Sequence, residues 1–249
     1  MDFIDIIIPT YNAEKYITDT IESVKKQTIK NWKITIIDDG STDNTIEKIN
    51  NSIVEIKDKV EVIKLKKNKG VANARNVGIQ KSTNRYIAFL DSDDIWEKEK
   101  LEKQINYMKR NNYYFTYTNY TYLKNNRQKK IKQIPSSLTY TQALKNTIIL
   151  TSTVIIDTKN IPKKNIIMPN IKSEDTATWW KILKEGNIAY GYKENLTIYR
   201  VRKSGLSYNK IVNLKRTWNL YRKSEGLGIT KSLYFFIHYI YNAIKKRVI

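Results

Sequence analysis

The chain has 249 residues, 41% of them hydrophobic, which is enough for one large domain or for one domain with a C-terminal appendage. It carries 45 Lys and Arg against 24 Asp and Glu, and the formal net charge of +21 favours an anionic partner: nucleic acid, anionic lipid or a phosphorylated substrate. The absence of cysteine excludes disulfides and thiolate metal sites, and the single histidine, His238, excludes a His-rich zinc site.

The first half of the chain alternates short β-rich runs with amphipathic helical patterns. We predict strands over residues 3–9, 33–38, 60–65 and 86–90. Helices are predicted from a cap at Asn12 to about residue 28, after a cap at Asp43, near 71–81 and over about 95–111. This alternation predicts an α/β fold with a mixed, mainly parallel sheet, and the continuously apolar strands indicate that helices flank both of its faces.

After residue 112 the pattern changes. It predicts a tyrosine-rich strand, a basic loop, a strand, a helix and a pair of strands, over residues 113–123, 125–137, 150–157, 173–186 and 188–201. From residue 208 onward the pattern is helical, with an interruption at 225–228. We therefore predict a C-terminal helical appendage, the basic amphipathic tail 208–249.

One face of this tail is apolar. Its members are Leu233, Phe236, Ile237, Ile240, Tyr241 and Ile244, and the cations Lys245, Lys246 and Arg247 follow them. An aromatic-rich apolar face with terminal cations is typical of a helix that lies on an anionic membrane, which gives 230–249 a membrane-binding role. The alternative is that this face packs on the domain itself or on another subunit of a homo-oligomer.

Four polar clusters follow the four strands predicted in the first half. They occupy residues 9–14, 38–43, 68–76 and 91–94. Because ligands of parallel α/β sheets bind beyond the carboxyl ends of the strands, we expect these clusters to form one site. Asp38 and Asp39 are placed to read a base or a ribose by hydrogen bonds, and Gly70 allows close approach of the backbone.

The cluster DSDD, residues 91–94, places three acids directly after a buried strand. Carboxylates with one intervening residue suit Mg²⁺ or Mn²⁺, which prefer oxygen ligands and take the remainder from phosphates and water. Asp94 and Glu97 also form a D-x-x-E pair, typical of a cap at the start of the next helix. We therefore assign Asp94 to capping, and Asp91 and Asp93, which have no such role, remain candidates for binding the cation.

The clusters resemble, in order and at matching spacing, the motifs of glycosyltransferase family 2. The matching stretches are IIIPTYNAEKYITDTIESVKKQT, ITIIDDGSTDNT, KNKGVANARNVGI and YIAFLDSDD, and the resemblance spans roughly residues 3–206. It implies the GT-A fold, a nucleotide-diphospho-sugar donor that is usually UDP-linked, and Mn²⁺ or Mg²⁺. It also implies a catalytic domain at 1–207, with a nucleotide-binding half, 1–96, and an acceptor-binding half, 97–207.

By position, the resemblance implies that residues from all four loops bind the donor: Pro9, Thr10, Tyr11, Asp39, Asn68, Gly70, Arg75, Asp91 and Ser92. Among them, Asp39 would read the uracil, Arg75 would lie against the base and phosphates, and Asp91 would meet the ribose or the sugar. Asp93 would be the direct metal ligand of the D-x-D element.

A fifth match, SEDTATWW, resembles the family element in which an aspartate is the catalytic base, here Asp175. An inverting transfer needs one carboxylate to take the proton of the acceptor hydroxyl, and a metal can neutralise the leaving diphosphate. The alternative is an acid favoured by the N-terminus of a helix. We expect further contacts with the acceptor or the diphosphate from Glu174, Trp179 (or Trp180), Arg200 and Arg202.

The function predicted is a metal-dependent, inverting glycosyltransferase that adds a sugar to a hydroxyl of a surface-glycan precursor: lipopolysaccharide, capsule or cell-wall polymer. The Q-x-x-R-W element of processive relatives is absent, so we expect transfer of one sugar. Within the same fold the alternative is transfer to polyprenyl phosphate. The alternative from another class is a nucleic-acid-binding protein. Only the tyrosine-rich strand beside Lys124 fits this alternative, and weakly, so we expect no nucleic-acid partner.

A Rossmann oxidoreductase is excluded because no G-x-G-x-x-G follows the first strand. The N-terminus MDFIDIIIP has an acid at position 2 and a short apolar run, so it does not predict a signal peptide. The apolar stretch LYFFIHYIY is too short to span a bilayer. We expect a cytoplasmic protein, peripheral on the inner face of the cytoplasmic membrane.

Overall fold

The structure is a computed structural model that describes residues 2–124, 127–201 and 210–248, with only the backbone of 124, 127–130, 210–211 and 245–248. The strands are Ile4–Thr10 (β1), Trp32–Asp38 (β2), Val60–Lys64 (β3), Tyr86–Phe89 (β4), Ile95–Trp96 (β5), Phe115–Lys124 (β6), Arg127–Lys132 (β7), Ser137–Leu138 (β8), Ile155–Asp157 (β9) and Ala189–Arg200 (β10). The α-helices are Ile17–Lys25 (α1), Thr45–Ser52 (α2), Val71–Lys81 (α3), Lys100–Asn111 (α4), Tyr140–Leu144 (α5), Lys163–Ile166 (α6), Glu174–Lys184 (α7), Lys210–Asn219 (α8) and Ile229–Val248 (α9).

The strands form one mixed sheet in the order β3-β2-β1-β4-β9-β6-β10-β5, with β7 beside β6 and β8 beside β10. The strands β3, β2, β1 and β4 are parallel to one another, and β6 is parallel to β10. The strand β9 is antiparallel to both β4 and β6 and joins the two parallel groups. The predicted α/β fold with a mixed, mainly parallel sheet is confirmed.

Two apolar layers bury the two faces of the sheet. Ile6 and Ile8 of β1 face a layer with α1, α2 and α4, whereas Ile7 faces a layer with α3 and α7. All seven residues of β1 are buried, as expected for a strand that is covered on both sides. These layers hold the carboxyl ends of β1, β2 and β4 in place, and the polar loops begin there.

Several element boundaries differ from prediction, and each difference has a long-range cause. The helix expected from Asn12 begins at Ile17, because Asn12 adopts a left-handed φ of 46° and bonds a neighbouring loop instead of capping. The helix expected from residue 95 begins at Lys100, because Ile95–Trp96 pair with β10. The predicted strand pair 188–201 is the single strand β10, and the predicted basic loop contains β7 and β8.

The tail is helical, as predicted, and part of it packs on the domain. The Tyr221 ring stacks on Trp180 of α7 with 5.3 Å between centroids, and Phe235 and Phe236 of α9 lie against the core layer of α7. Leu233, Ile237, Tyr241 and Ile244, an apolar row spaced at four, four and three residues, are exposed. In the described part of the chain no helix is both long and apolar enough to cross a membrane. The predicted boundary at 207/208 falls outside the described residues.

Candidate active site

The first two polar loops are joined side by side by hydrogen bonds. The Asn12 backbone N–H donates to Ser41 Oγ (2.9 Å), and the Thr42 N–H donates to the Asn12 side-chain oxygen (2.8 Å). The Glu14 N–H donates to the Asp43 carboxylate (3.2 Å), which also accepts the N–H of Thr45 at the start of α2. Asp43 therefore has a helix-start role in addition to joining the loops.

Asp39 connects the third loop to this pair. One of its carboxylate oxygens accepts the Lys69 N–H (2.9 Å) and the other accepts the Gly70 N–H (2.7 Å). Its own N–H donates to the Thr10 carbonyl (2.8 Å). Gly70 has φ of +92°, a conformation that favours glycine, and immediately precedes α3. The loops after β1, β2 and β3 thus meet at one edge of the sheet.

The fourth loop, residues 91–94, joins this edge through the buried side chain of Arg75 on α3. Its Nη2 contacts Asp91 Oδ1 at 2.5 Å and its Nη1 contacts Glu174 Oε1 at 2.8 Å. Coulomb attraction by Asp91, Glu174 and Asp175 raises the pKa of Arg75 against the opposing effect of burial. One guanidinium therefore brings an acid of the fourth loop next to the acids at the start of α7.

Asp94 has a different role from the predicted one. Its side chain is fully buried, and its carboxylate accepts the Ser152 hydroxyl (2.5 Å) and the Arg200 N–H (3.1 Å). The predicted helix cap at Asp94 is wrong because α4 begins six residues later, at Lys100. Burial first, then the charges of Asp93 and Asp91, raise the pKa of Asp94.

Asp175 lies in the first turn of α7, partly exposed beside the Arg75 ion pairs. Its Oδ2 accepts the Thr151 hydroxyl (3.1 Å), and its Oδ1 accepts the Thr176 N–H (2.7 Å). Ser173, which precedes this turn, has a left-handed φ of 62°, an uncommon conformation for a residue with a side chain. A partly exposed carboxylate whose orientation is held in this way can accept a proton from a bound hydroxyl.

The family model "Glycosyl transferase family 2" matches residues 5–167 of the chain. The chain belongs to glycosyltransferase family 2. It is 42% identical to the putative teichuronic acid biosynthesis glycosyltransferase TuaG of Bacillus subtilis (strain 168), over 98% of this chain and 97% of that protein. It is 38% identical to the UDP-Glc:alpha-D-GlcNAc-diphosphoundecaprenol beta-1,3-glucosyltransferase WfgD of Escherichia coli, over 98% and 94%.

Solved structures of other glycosyltransferases share the fold. S. aureus TarS 1–349 in complex with UDP-GlcNAc has a TM-score of 0.75 at 20% identity, covering 96% of this chain and 71% of that one. The mannosyltransferase PcManGT from Pyrobaculum calidifontis, in complex with GDP-Man and Mn²⁺, has a TM-score of 0.70 at 15% identity, covering 91% and 65%. The GT-A fold expected of this family 2 enzyme is confirmed.

The predicted donor-binding residues of this glycosyltransferase lie in or next to the loops at one edge of the sheet. They are Pro9, Thr10, Tyr11, Asp39, Asn68, Gly70, Arg75, Asp91 and Ser92. Their individual roles stay predictions. Arg75 has both terminal nitrogens on carboxylates and is 4% exposed, so its first partners are Asp91 and Glu174.

Trp179 is the clear error among the predicted site residues. It is 2% exposed and packs against Phe89 and Phe115, and its neighbour Trp180 is 1% exposed, so neither ring is available for an acceptor sugar. Arg200 lies at the end of β10, where its Nη2 pairs with Asp19 at 2.5 Å, and its contact with acceptor or diphosphate stays a prediction. Arg202 is outside the described residues.

The loop 91–94 fits a divalent cation that arrives with a diphosphate. Asp93 is largely buried, at 9% exposure, and Asp91 is half-buried with one oxygen held by Arg75, so the loop carries two acids whose oxygens are ligands of the type that Mg²⁺ or Mn²⁺ prefers. Within the described residues no group of three or more His, Cys, Asp or Glu forms a metal cage. One or two carboxylates completed by phosphate oxygens are the usual arrangement for Mg²⁺, and the crowding of Asp91, Asp93 and Asp94 favours a cation there.

Sequence reasoning missed the hydroxyl side chains that support these acids. Thr20 Oγ1 of α1 donates to the carbonyls of Ser92 (3.0 Å) and Asp94 (2.8 Å), and Ser152 accepts the Asp91 N–H (3.1 Å). The sequence did contain one indication of them: the run Thr151–Thr153 places three polar residues in the segment 150–157, which was predicted as a strand. The run forms a 3₁₀ turn ahead of β9.

Glu174 offers a test of the electrostatics of this site. Burial first, then the charge of Asp175, raise its pKa despite the opposing effect of Arg75. A raised folded-state pKa means that the stabilisation is present below the unfolded value, about 4.3, and is lost as the pH rises through the folded value. We expect the free energy of unfolding of the wild type, measured by urea denaturation, to fall relative to Glu174→Gln as the pH rises from about 4.

Glu47→Gln, on the exposed side of α2, controls for the loss of one acid. A wild type that gains stability over Glu174→Gln with rising pH would show that the Arg75 ion pair outweighs burial.

Proposed function

We propose that this glycosyltransferase transfers one hexose from a UDP-sugar to a hydroxyl of a lipid-linked surface-glycan precursor, with inversion and with Mn²⁺ or Mg²⁺. The observation that carries the proposal is the Arg75 guanidinium, which contacts Asp91 of the donor loop and Glu174 beside Asp175. Donor-side and acceptor-side acids therefore adjoin, as a direct transfer requires.

On the donor side, the edge formed by Thr10, Asp39 and Gly70 would hold the nucleoside, with Asp39 reading the uracil. Asp91 keeps one carboxylate oxygen free of Arg75, and this oxygen would accept a hydroxyl of the ribose or the sugar. Asp93 would hold the cation, which when bound neutralises the charge of the leaving diphosphate.

On the acceptor side, Asp175 would take the proton of the attacking hydroxyl. The single charge of Arg75 is shared by Asp91 and Glu174 through direct contact, whereas the hydrogen bonds at the two oxygens of Asp175 come from neutral donors. A single general base supports one displacement at the anomeric carbon, and one displacement inverts its configuration.

The relatives support the choice of substrates. The name of WfgD describes a transfer from UDP-Glc to a GlcNAc on a lipid diphosphate, and the name of TuaG describes teichuronic acid biosynthesis. An acceptor that carries a sugar therefore has more support than bare polyprenyl phosphate. The nucleic-acid alternative has less support, because Tyr117 and Tyr120 of the tyrosine-rich strand β6 are buried and are not exposed for stacking on bases.

A donor and acceptor screen tests the proposal. Binding and turnover of UDP-glucose, UDP-GlcNAc, GDP-mannose and a dTDP-sugar are compared with Mn²⁺, with Mg²⁺ and with EDTA. Each donor is offered with GlcNAc-diphospho-lipid and with polyprenyl phosphate. We expect a UDP-sugar, a divalent cation and the sugar-bearing lipid to be required together. Preference for polyprenyl phosphate, or turnover in EDTA, would overturn the corresponding part of the proposal.

We also propose that the exposed apolar row of α9 lies on an anionic membrane that holds this acceptor. Its members, Leu233, Ile237, Tyr241 and Ile244, are exposed, whereas Phe236, which the sequence placed on the same face, packs with Phe235 on the domain. The net charge of +21 complements anionic lipid headgroups. The side chains of Lys245, Lys246 and Arg247, which extend this helix in the sequence, lie outside the described residues.

Ile237→Asp should weaken binding to vesicles of anionic lipid at least about tenfold, because a buried isoleucine contributes roughly 1.5–3 kcal/mol. Co-sedimentation measures this change. The matched control is Val54→Asp, which changes an exposed apolar side chain that is distant from α9 in the sequence. The contrary result has two parts: Ile237→Asp binds vesicles as well as the wild type does, and light scattering shows a wild-type dimer that the substitution dissociates. That result would assign the row to a contact with a second copy of the chain.

A further inference from the structure

The turn Thr151–Thr153 carries three hydroxyl side chains that are 2%, 0% and 0% exposed. A buried hydroxyl without a hydrogen-bond partner costs free energy, so each of these groups is expected to have a defined partner. The three partners are different, and two of them belong to the acids of the candidate site. The turn itself lies between β8 and β9, outside the motifs of the donor loops.

Ser152 holds the donor loop. Its hydroxyl donates to Asp94 Oδ2 (2.5 Å) and accepts the backbone N–H of Asp91 (3.1 Å). Its carbonyl accepts the indole N–H of Trp96 (2.7 Å), just after the loop. Ser152 thus holds the loop on both sides of Asp93, the residue assigned to the cation: the backbone of Asp91 before it, and the side chains of Asp94 and Trp96 after it.

Thr151 holds the acid at the start of α7. Its hydroxyl donates to Asp175 Oδ2 (3.1 Å), while Oδ1 of the same carboxylate accepts the Thr176 N–H (2.7 Å). With one donor on each oxygen, the plane of the Asp175 carboxylate is set. The donor that sets Oδ2 comes from a residue 24 positions earlier in the sequence, outside α7.

We propose that Thr151 and Ser152 are positioning residues that set the base Asp175 at a fixed distance from the metal-binding loop. Consecutive Cα atoms are about 3.8 Å apart, so two adjacent hydroxyls leave little freedom between the groups that they hold. A displacement of about 1 Å at a reacting centre can cost about 100-fold in rate. The inference rests on the proposed function, because it needs Asp175 as the base and Asp93 as the metal ligand.

Thr153 gives an internal control. Its hydroxyl donates to the Leu150 carbonyl (2.6 Å), within the same turn and away from the acids. Thr153→Val removes one buried hydroxyl from the same turn, as Thr151→Val does. Any general loosening of the turn should therefore show in both variants, whereas an effect on the site should show only in Thr151→Val.

The test compares Thr151→Val, Thr151→Ser, Ser152→Ala and Thr153→Val by two measurements: Mn²⁺-dependent UDP binding in calorimetry, without turnover, and kcat with the UDP-sugar that the wild type uses. Thr151→Val should lower kcat about 10- to 100-fold with unchanged UDP affinity, and Thr151→Ser should restore most of it. Ser152→Ala should weaken Mn²⁺-dependent UDP binding about 10- to 100-fold, as for other supports of metal ligands. Thr153→Val should change neither quantity.

Circular dichroism checks that each variant folds, and Ser152→Cys, which keeps the volume with a weaker hydrogen-bonding group, replaces Ser152→Ala if that variant is unfolded. Two outcomes would overturn the inference, provided that the wild type is active. In the first, the variants of Thr151 and Ser152 both behave like Thr153→Val; in the second, each of them changes UDP binding and kcat together. A wild type that neither binds UDP nor turns over any UDP-sugar would overturn the proposed function itself.

Discussion

Asp175→Asn should lower kcat for sugar transfer by about 10²- to 10⁴-fold, the usual contribution of a general base. Asparagine keeps the volume and one acceptor oxygen for the Thr151 hydroxyl, but it cannot take a proton from the acceptor. Because the donor-side contacts belong to other residues, the affinity for UDP with Mn²⁺ should stay within a factor of about two. Steady-state kinetics and calorimetry measure the two quantities.

The matched control is Asp58→Asn, the same substitution at an exposed acid ahead of β3. It should leave kcat unchanged. If Asp175→Asn transfers sugar at the wild-type rate, the base lies elsewhere, and the partly exposed carboxylate at the start of α7 serves only the helix N-terminus.

Asp93→Asn should weaken UDP binding in the presence of Mn²⁺ by at least about 10- to 100-fold, the range for disturbed metal sites. The reason is that the amide oxygen lacks the charge that a divalent cation requires of its few protein ligands. Calorimetric titration with UDP, in Mn²⁺ and in EDTA, measures the loss. Asp93 is largely buried, at 9% exposure, and asparagine keeps nearly the same volume, so the substitution changes little of the packing.

The metal-free titration is the control for this variant. In EDTA the affinities of the wild type and Asp93→Asn for UDP should converge, because the missing interaction is the one through the cation. A full Mn²⁺ response in Asp93→Asn would assign the cation to Asp91 or to another carboxylate of the loop. A loss of equal size in EDTA would show a damaged nucleoside site rather than a lost metal ligand.

The arrangement of the donor loops was predictable because it follows from local patterns and one topological rule. Short apolar runs predicted β1 to β4 within one or two residues, and the helical pattern near 71–81 predicted α3, as observed. Parallel strands bring their carboxyl ends to one edge, so the meeting of four loops needed no knowledge of individual contacts.

The supporting contacts were not predictable, because they join residues far apart in the chain. Arg75 and Glu174 are separated by 99 positions, and Ser152 and Asp94 by 58. The local D-x-x-E pattern favoured a cap at Asp94, but the pairing of β5 with β10 delays α4 and turns this acid inward. Likewise, tryptophan is a residue type that can stack on a sugar, but the position of Trp179 in α7 places its ring in the core.

The helix α7 also sets the distance between the proposed base and the residues that hold the C-terminal tail. Asp175 lies in its first turn, while Trp180 and Lys184 further along hold the tail by stacking on Tyr221 and by an ion pair with Glu225 (3.1 Å). Asp175 and Lys184 are separated by about 14 Å along the helix axis. With α9 on a bilayer, as proposed, these contacts would hold the base at a fixed distance from the lipid surface. Acceptors would then be selected by how far their hydroxyl extends from the membrane, in addition to their chemistry.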